Sequence, residues 1–297
     1  MFYPGNWIHS FPQHFQWSNA TLIAKGMAPY ASVALEEIDR VVQRLHQRID
    51  EPHAWWEEWT AVAAWAEREA DTAAKEGRNA TAGNYYLRAG SYYFTGERML
   101  PLGEQKLDVY RKSLRCSHEG LTRRFPNLEI VDVPYEGSAL PAYFLKAHTP
   151  DRRAPTVVLF DGLDNCKEMS VLFAGVELAF RGFNTLAIDG PGQGEALRLR
   201  NLPSRYDYEV AARQRTNTSP RGRTSIQTAW RSWLIAPAAI TRHVLRHLSS
   251  VTPRVWRGDR ITITTRSGRN AGKRCKRTQR ATPLLTFNSR GCLVWPT

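Results

Sequence analysis

"NTLAIDGPGQGEALRLR", residues 184–200, is the stretch on which the reading of this chain turns. An apolar run ends at Asp189, and three glycines follow within five positions: Gly190, Gly192 and Gly194. Glycines after a buried strand serve either a phosphate cradle or a tight strand-end turn. A phosphate loop needs G-x-x-x-x-G-K-[ST], and neither Lys nor Ser/Thr follows Gly194. A dinucleotide fingerprint needs a third glycine where Glu195 stands. Pro191 has no N–H to offer a phosphate. The glycines therefore read as a turn that closes a strand.

The flanking sequence supplies the rest of a βαβ unit. "APTVVLFDGLD" (154–164) is a short apolar run and reads as a buried strand. "KEMSVLFAGVELAFRGF" (167–183) reads as a helix closed by Gly182, and residues 184–190 form the next buried strand. Strand, helix and strand in this order predict a parallel sheet. Upstream, "LEIVDVPYEGSALPAYFLKA" (128–147) reads as strand, turn at Glu136-Gly137, strand.

The first 120 residues have a different period. Residues 31–48 place Leu35, Ile38, Val41, Val42 and Leu45 on one helical face. Residues 54–76 are alanine-rich and helical, with Trp55 and Trp59 one turn apart and Gly77 as a stop. Tyr85, Tyr86, Ala89, Tyr92 and Tyr93 recur at helical spacing, and a further helix is predicted over about 103–119. These aromatics, with Trp65, suit core packing first and a binding wall second. His14, His46 and His53 lack ligand spacing.

The net charge of +13 is unevenly spread. Residues 211–297 hold 16 Arg and 2 Lys against one acid, Asp259, a local charge of +17. The first 210 residues carry −4. The basic segment has no Glu and no Tyr and little sustained periodicity. It reads either as an arginine-rich tail or as coding sequence continued in the wrong frame or through an intron. Four scattered cysteines (Cys116, Cys166, Cys275, Cys292) suit free thiols in a reducing compartment. No run approaches the roughly 18 apolar residues of a membrane span, and "MFYPGNWIHSFPQHF" (1–15) has no secretory pattern. The expectation is a cytoplasmic protein.

"FDGLDNCKE" (160–168), "IDGPGQGEALRLR" (188–200) and "LPSRYDYE" (202–209), behind a helical N-terminus, carry a resemblance. Together they resemble the FrsA-like, 2,6-dihydropseudooxynicotine-hydrolase-like branch of the α/β hydrolases. "FYPGNW" (2–7) and "RYDYE" (205–209) are similar to hydrolases of fungal polyketide and polyketide–peptide clusters of the fusarin and cytochalasin type. The resemblance covers roughly residues 1–210. It implies an α/β fold, an α/β-hydrolase sheet with an N-terminal helical cap. Residues 1–120 would be the cap region, 121–210 the first half of the core, and 211–297 the aberrant tail. "VVLFDGLD" would be the third strand and its loop, with Gly162 and Leu163 as backbone donors of the oxyanion hole. Asp189, Gly190, Gly192 and Gly194 would form the turn after the fourth strand.

The family's serine nucleophile, acid and histidine base are not identifiable. No serine sits in G-x-S-x-G; "TRSGR" around Ser267 lacks the leading glycine. His243 and His247 lie i, i+4 without an acidic neighbour, and Asp259 is the one acid downstream. Lys167 and Glu168 read equally as a solvated first turn or a structural ion pair. The resemblance implies a small-molecule, polyketide-derived substrate, no cofactor, no metal and no membrane partner. Nucleic acid is disfavoured as a partner, and a homodimer is left open. A half-sheet exposes a buried-type strand edge, so the chain is expected to be poorly folded or inactive.

Overall fold

A computed structural model describes residues 9–49, 51–148, 154–162, 164–207 and 211, together with three two-residue strands further on. The chain divides into two units, 1–242 and 243–297. In the second unit, β6 (Thr286–Phe287) and β7 (Leu293–Val294) pair antiparallel. The elements described next belong to the first unit.

Among the described residues, five α-helices precede the sheet: α1 (Phe15–Gly26), α2 (Leu35–His46), α3 (Ala54–Lys75), α4 (Asn79–Glu97) and α5 (Glu104–Arg124). In α2 the predicted face is largely the buried one: Ile38, Val41 and Leu45 are enclosed, whereas Leu35 is exposed. Gly77 ends α3 in a left-handed conformation, φ +75°. The first helix has no periodic apolar stripe and escapes a sequence reading. It packs by one face, Trp17, Ser18, Ala20, Thr21, Ala24 and Lys25, but that face mixes polar with apolar residues while Phe15 on the other side is exposed. The aromatics are core. Trp55, Trp59 and Tyr92 are enclosed and their rings follow one another at 5.5 and 5.9 Å. Trp55 Nε1 donates to the Thr95 carbonyl at 2.9 Å, which satisfies its polar edge. Small residues bring α4 and α5 together: a Cβ at Gly90 would lie 2.3 Å from Ser117 Oγ.

The sheet runs β1 (Leu128–Tyr135), β2 (Ser138–Leu145), β3 (Thr156–Leu159), β4 (Asn184–Ile188) and β5 (Leu234–Ile235), in spatial order β1-β2-β4-β3-β5. The β1–β2 hairpin turns at Glu136-Gly137 with φ of +42° and +77°, the positive pair that suits a two-residue hairpin. β2 pairs antiparallel with β4, and β3 pairs parallel with β4 and with β5. Between β3 and β4, the predicted helix runs as α6 (Lys167–Ser170), a π turn (Val171–Gly175) and α7 (Val176–Phe180). Among the described residues, no helix is long and apolar enough to cross a membrane.

The crossover from β3 goes to β4 on one side, and β5 then lies on the other side of β3. Reversal of winding direction leaves a crevice at the carboxyl end of such a strand. The Asp161-Gly162 loop occupies that end of β3, and Asp189-Gly190 occupies the same end of β4.

Candidate functional site

The turn after β4 is a built object. Gln193 N donates to Gly190 O at 3.0 Å, closing the four residues Gly190, Pro191, Gly192 and Gln193. Proline at the second position and glycine at φ +87° in the third are what a type II turn requires. A Cβ on Gly192 would lie 2.7 Å from Ser204 Cβ. Gly194, at φ +34°, opens α8 (Gly194–Arg198). A Cβ there would lie 2.2 Å from Asp189 Oδ2, so only glycine lets that carboxylate reach the helix.

Three further amides at this turn also have internal acceptors. Gly190 N donates to Gln193 Oε1 at 2.8 Å, Gly192 N to Leu202 O at 2.8 Å, and Glu195 N to Asp189 Oδ2 at 2.8 Å. Residues 189–194 are all buried. With Pro191 lacking an N–H and these amides engaged inside the turn, the geometry is that of a strand-end turn.

Beneath the turn lies an ionic cluster. Lys167 and Glu168 at the start of α6 are buried, not a solvated first turn. Lys167 Nζ contacts Glu168 Oε1 at 2.8 Å, Glu195 Oε2 at 2.9 Å and Asp189 Oδ2 at 3.2 Å. It also sits 5.1 Å from the Tyr143 ring centroid, and Tyr143 donates its hydroxyl to Glu168 Oε1 at 2.8 Å. Burial opposes the charge on Lys167, but the three carboxylates outweigh it and hold the ammonium well above its usual range. For Glu168, burial is outweighed by the adjacent ammonium, and its carboxyl falls to about 2. Asp189 moves the other way. Burial, joined by the Glu168 charge, pushes it up to about 6 against the pull of Lys167.

The loop after β3 is tied to this turn through one side chain. Gln193 Nε2 donates to the carbonyl of Asp161 and, at 3.0 Å, to the carbonyl of Gly162. Gly162 N in turn donates to Asp161 Oδ1 at 2.8 Å, and Ser170 Oγ donates to Asp161 Oδ2 at 3.1 Å. Burial raises the Asp161 carboxyl above its ordinary range. The two predicted elements, Gly162 and the Asp189–Gly194 turn, are thus brought together. Leu163, Ser267, Asp259, His243 and His247 lie outside the described residues.

The helical layer reaches the same place. Arg98, at the end of α4, donates to the Asp164 carbonyl at 3.1 Å. Arg198 of α8 donates from Nε to the buried Glu97 at 3.0 Å, and Lys106 meets the other Glu97 oxygen at 2.7 Å. A cavity of about 20 Å³, room for about one water, lies between the layers and is lined by Phe94, Arg98, Cys166, Glu168 and Met169 among others. No sequence pattern marks Gln193, Arg98 or Arg198. A polar residue in a glycine-rich turn ordinarily signals exposure, and arginines at helix ends ordinarily signal solvent.

No protein-family model matches the chain. Among curated proteins, it is 33% identical over 169 residues to the "Alpha/beta hydrolase xenA" of Xenoacremonium sinensis, a match that covers 55% of this chain and 40% of that one. It is 32% identical over 175 residues to the "Alpha/beta hydrolase pydG" of an Acremonium species, covering 55% and 39%. The chain therefore spans about two fifths of the length of these relatives. Among solved structures, the 2,6-dihydroxy-pseudo-oxynicotine hydrolase superposes with a TM-score of 0.52 at 22% identity, covering 65% of this chain and 50% of that one, a likeness of fold. Similarity to proteins named α/β hydrolases, the strand order and the paired Asp-Gly loops converge: the described residues carry an α/β-hydrolase fold with a partial sheet and an N-terminal helical layer.

Proposed function

We propose that the protein belongs to fungal secondary metabolism, where it hydrolyses or cyclises a polyketide or polyketide–peptide intermediate by serine-nucleophile chemistry. The helices α1–α5 act as the cap over the reacting centre, and the substrate is a small molecule in the cytoplasm. One observation carries this reading: the Asp161-Gly162 loop at the carboxyl end of β3, in the crevice where the winding direction reverses. A nucleophile following the next strand would face that loop, whose backbone amides would stabilise the developing oxyanion. In the same reading this chain has lost the segment that delivers the nucleophile, the acid and the histidine. It is truncated in function and inactive as written.

The decisive observation is the nucleotide sequence downstream of codon 210, translated in the other two frames. An apolar strand running into G-x-S-x-G supports the reading, and its absence from all frames overturns it. Hydrolysis of an aryl ester by the chain as written, abolished by a serine-directed reagent, would overturn the claim of inactivity. The +17 charge of residues 211–297 favours a second reading, binding to nucleic acid or another acidic surface. That reading requires DNA affinity that falls steeply with salt.

A further inference from the structure

We propose that Gln193 is a positioning residue that sets the direction of the Gly162 amide by gripping the loop after β3 from the turn after β4. The proposal rests on the hydrolase reading only for its consequence, since Gly162 N–H is the donor that reading gives to the oxyanion. The geometry stands by itself.

Gln193 is 1% exposed and spans two loops that lie 31 residues apart in sequence. Its Oε1 accepts from Gly190 N at 2.8 Å, which anchors the side chain to its own turn. Its Nε2 then donates to the carbonyls of Asp161 and Gly162. A trans peptide points its C=O and N–H in opposite directions within one plane. Fixing the Asp161 carbonyl toward Gln193 therefore aims the Gly162 N–H away from it. That N–H meets a carboxylate oxygen, Asp161 Oδ1, at 2.8 Å. An oxyanion on this N–H would take the place that Asp161 Oδ1 now holds. Ser170 Oγ holds the other Asp161 oxygen at 3.1 Å and keeps the carboxylate in register.

The residue type follows from the demand. The position needs one acceptor and two donors in a buried site, and a primary amide supplies both. Glutamate lacks the donors, and lysine lacks the acceptor. Asparagine is one methylene shorter.

The test is NMR on the full chain labelled with ¹⁵N-glycine, reading the Gly162 and Gly190 amides. In Gln193→Glu the acceptor for Gly190 survives, but the donors to Asp161 and Gly162 are gone. We expect the Gly162 resonance to shift and its exchange with solvent to rise about tenfold, the scale of one lost hydrogen bond, while Gly190 keeps its protection. In Gln193→Ala both amides lose protection. A role in stability alone would raise exchange at both amides by the same factor in Gln193→Glu. That result, or an unmoved Gly162, overturns the proposal. If the variant does not fold, the unaltered chain decides. One glutamine side-chain NH₂ must exchange slowly and couple through hydrogen bonds to the carbonyl carbons of Asp161 and Gly162, and absence of that coupling overturns the proposal. No readout here is activity. Failure of the hydrolase reading would leave the amide pattern intact, and failure of the Gln193 grip would not touch ester cleavage by a chain that has it.

Discussion

Lys167 and Asp189 are joined twice: the Lys167 backbone N–H reaches Oδ1 at 2.7 Å, and its Nζ reaches Oδ2 at 3.2 Å, with both side chains fully buried. The pair ties the start of α6 to the end of β4. Removing one member leaves the other charges uncompensated in a medium of low dielectric, a loss of about 3–5 kcal/mol. Lys167→Met is therefore expected to lower the unfolding free energy by that order, measured by urea denaturation. A loss under about 1 kcal/mol would mean that the cluster is solvated.

Glycine substitutions should separate strain from crowding. Gly137, at φ +77°, has nothing within 4 Å of the point where a Cβ would stand, so Gly137→Ala should cost only the left-handed backbone penalty, about 1 kcal/mol. Gly194→Ala adds a clash at 2.2 Å with the Asp189 carboxylate. Its thermal midpoint should fall well below that of Gly137→Ala, and equal midpoints would refute a role for crowding.

The ion pairs should rank by burial. Glu97 is fully buried between Arg198 and Lys106, whereas Glu36 is exposed beside Arg40 at 3.7 Å. Glu97→Ala should cost about 3–5 kcal/mol and Glu36→Ala less than about 1 kcal/mol. A double-mutant cycle of Glu97 with Arg198 should show coupling, and additive losses would deny a direct pair.

The buried acids give stability two opposite dependences on pH. Glu168 is depressed from 4.5 to about 2, so its contribution is complete above the unfolded value and is lost as pH falls toward 2. Asp189 is raised from 3.8 to about 6, so its contribution is complete below about 4 and is lost as pH rises through 6. Denaturation between pH 2.5 and 7 should show Glu168→Gln flattening the acid limb and Asp189→Asn flattening the decline between pH 4 and 6. Unchanged limbs in both variants would assign the pH dependence to other groups.

Much of the architecture was legible in the residues themselves. The 3.6-residue period of 31–48 and 54–76 announced α2 and α3, and the apolar runs at 156–159 and 184–188 announced β3 and β4. Glu136-Gly137 announced its hairpin, and Pro191-Gly192 announced a turn rather than a cradle. The first helix stayed hidden because its buried face includes Ser18, Thr21 and Lys25 while Phe15 is exposed, which erases the periodic hydropathy contrast that marks a helix. Leu35 sat on the expected face of α2 yet remains exposed, because the stripe extends beyond the surface it packs on.

The chain's sequence alone determined the local elements, their order and the two Asp-Gly loops, because backbone conformation and the period of burial are written within a few residues. The tertiary structure decided that Lys167 and Glu168 are buried, that Gln193 reaches Asp161 and Gly162, and that Glu97 joins Arg198 across 101 residues. Such pairings depend on which segments the sheet order β1-β2-β4-β3-β5 brings side by side. A charge or an amide becomes a structural tie only when that proximity removes water from around it.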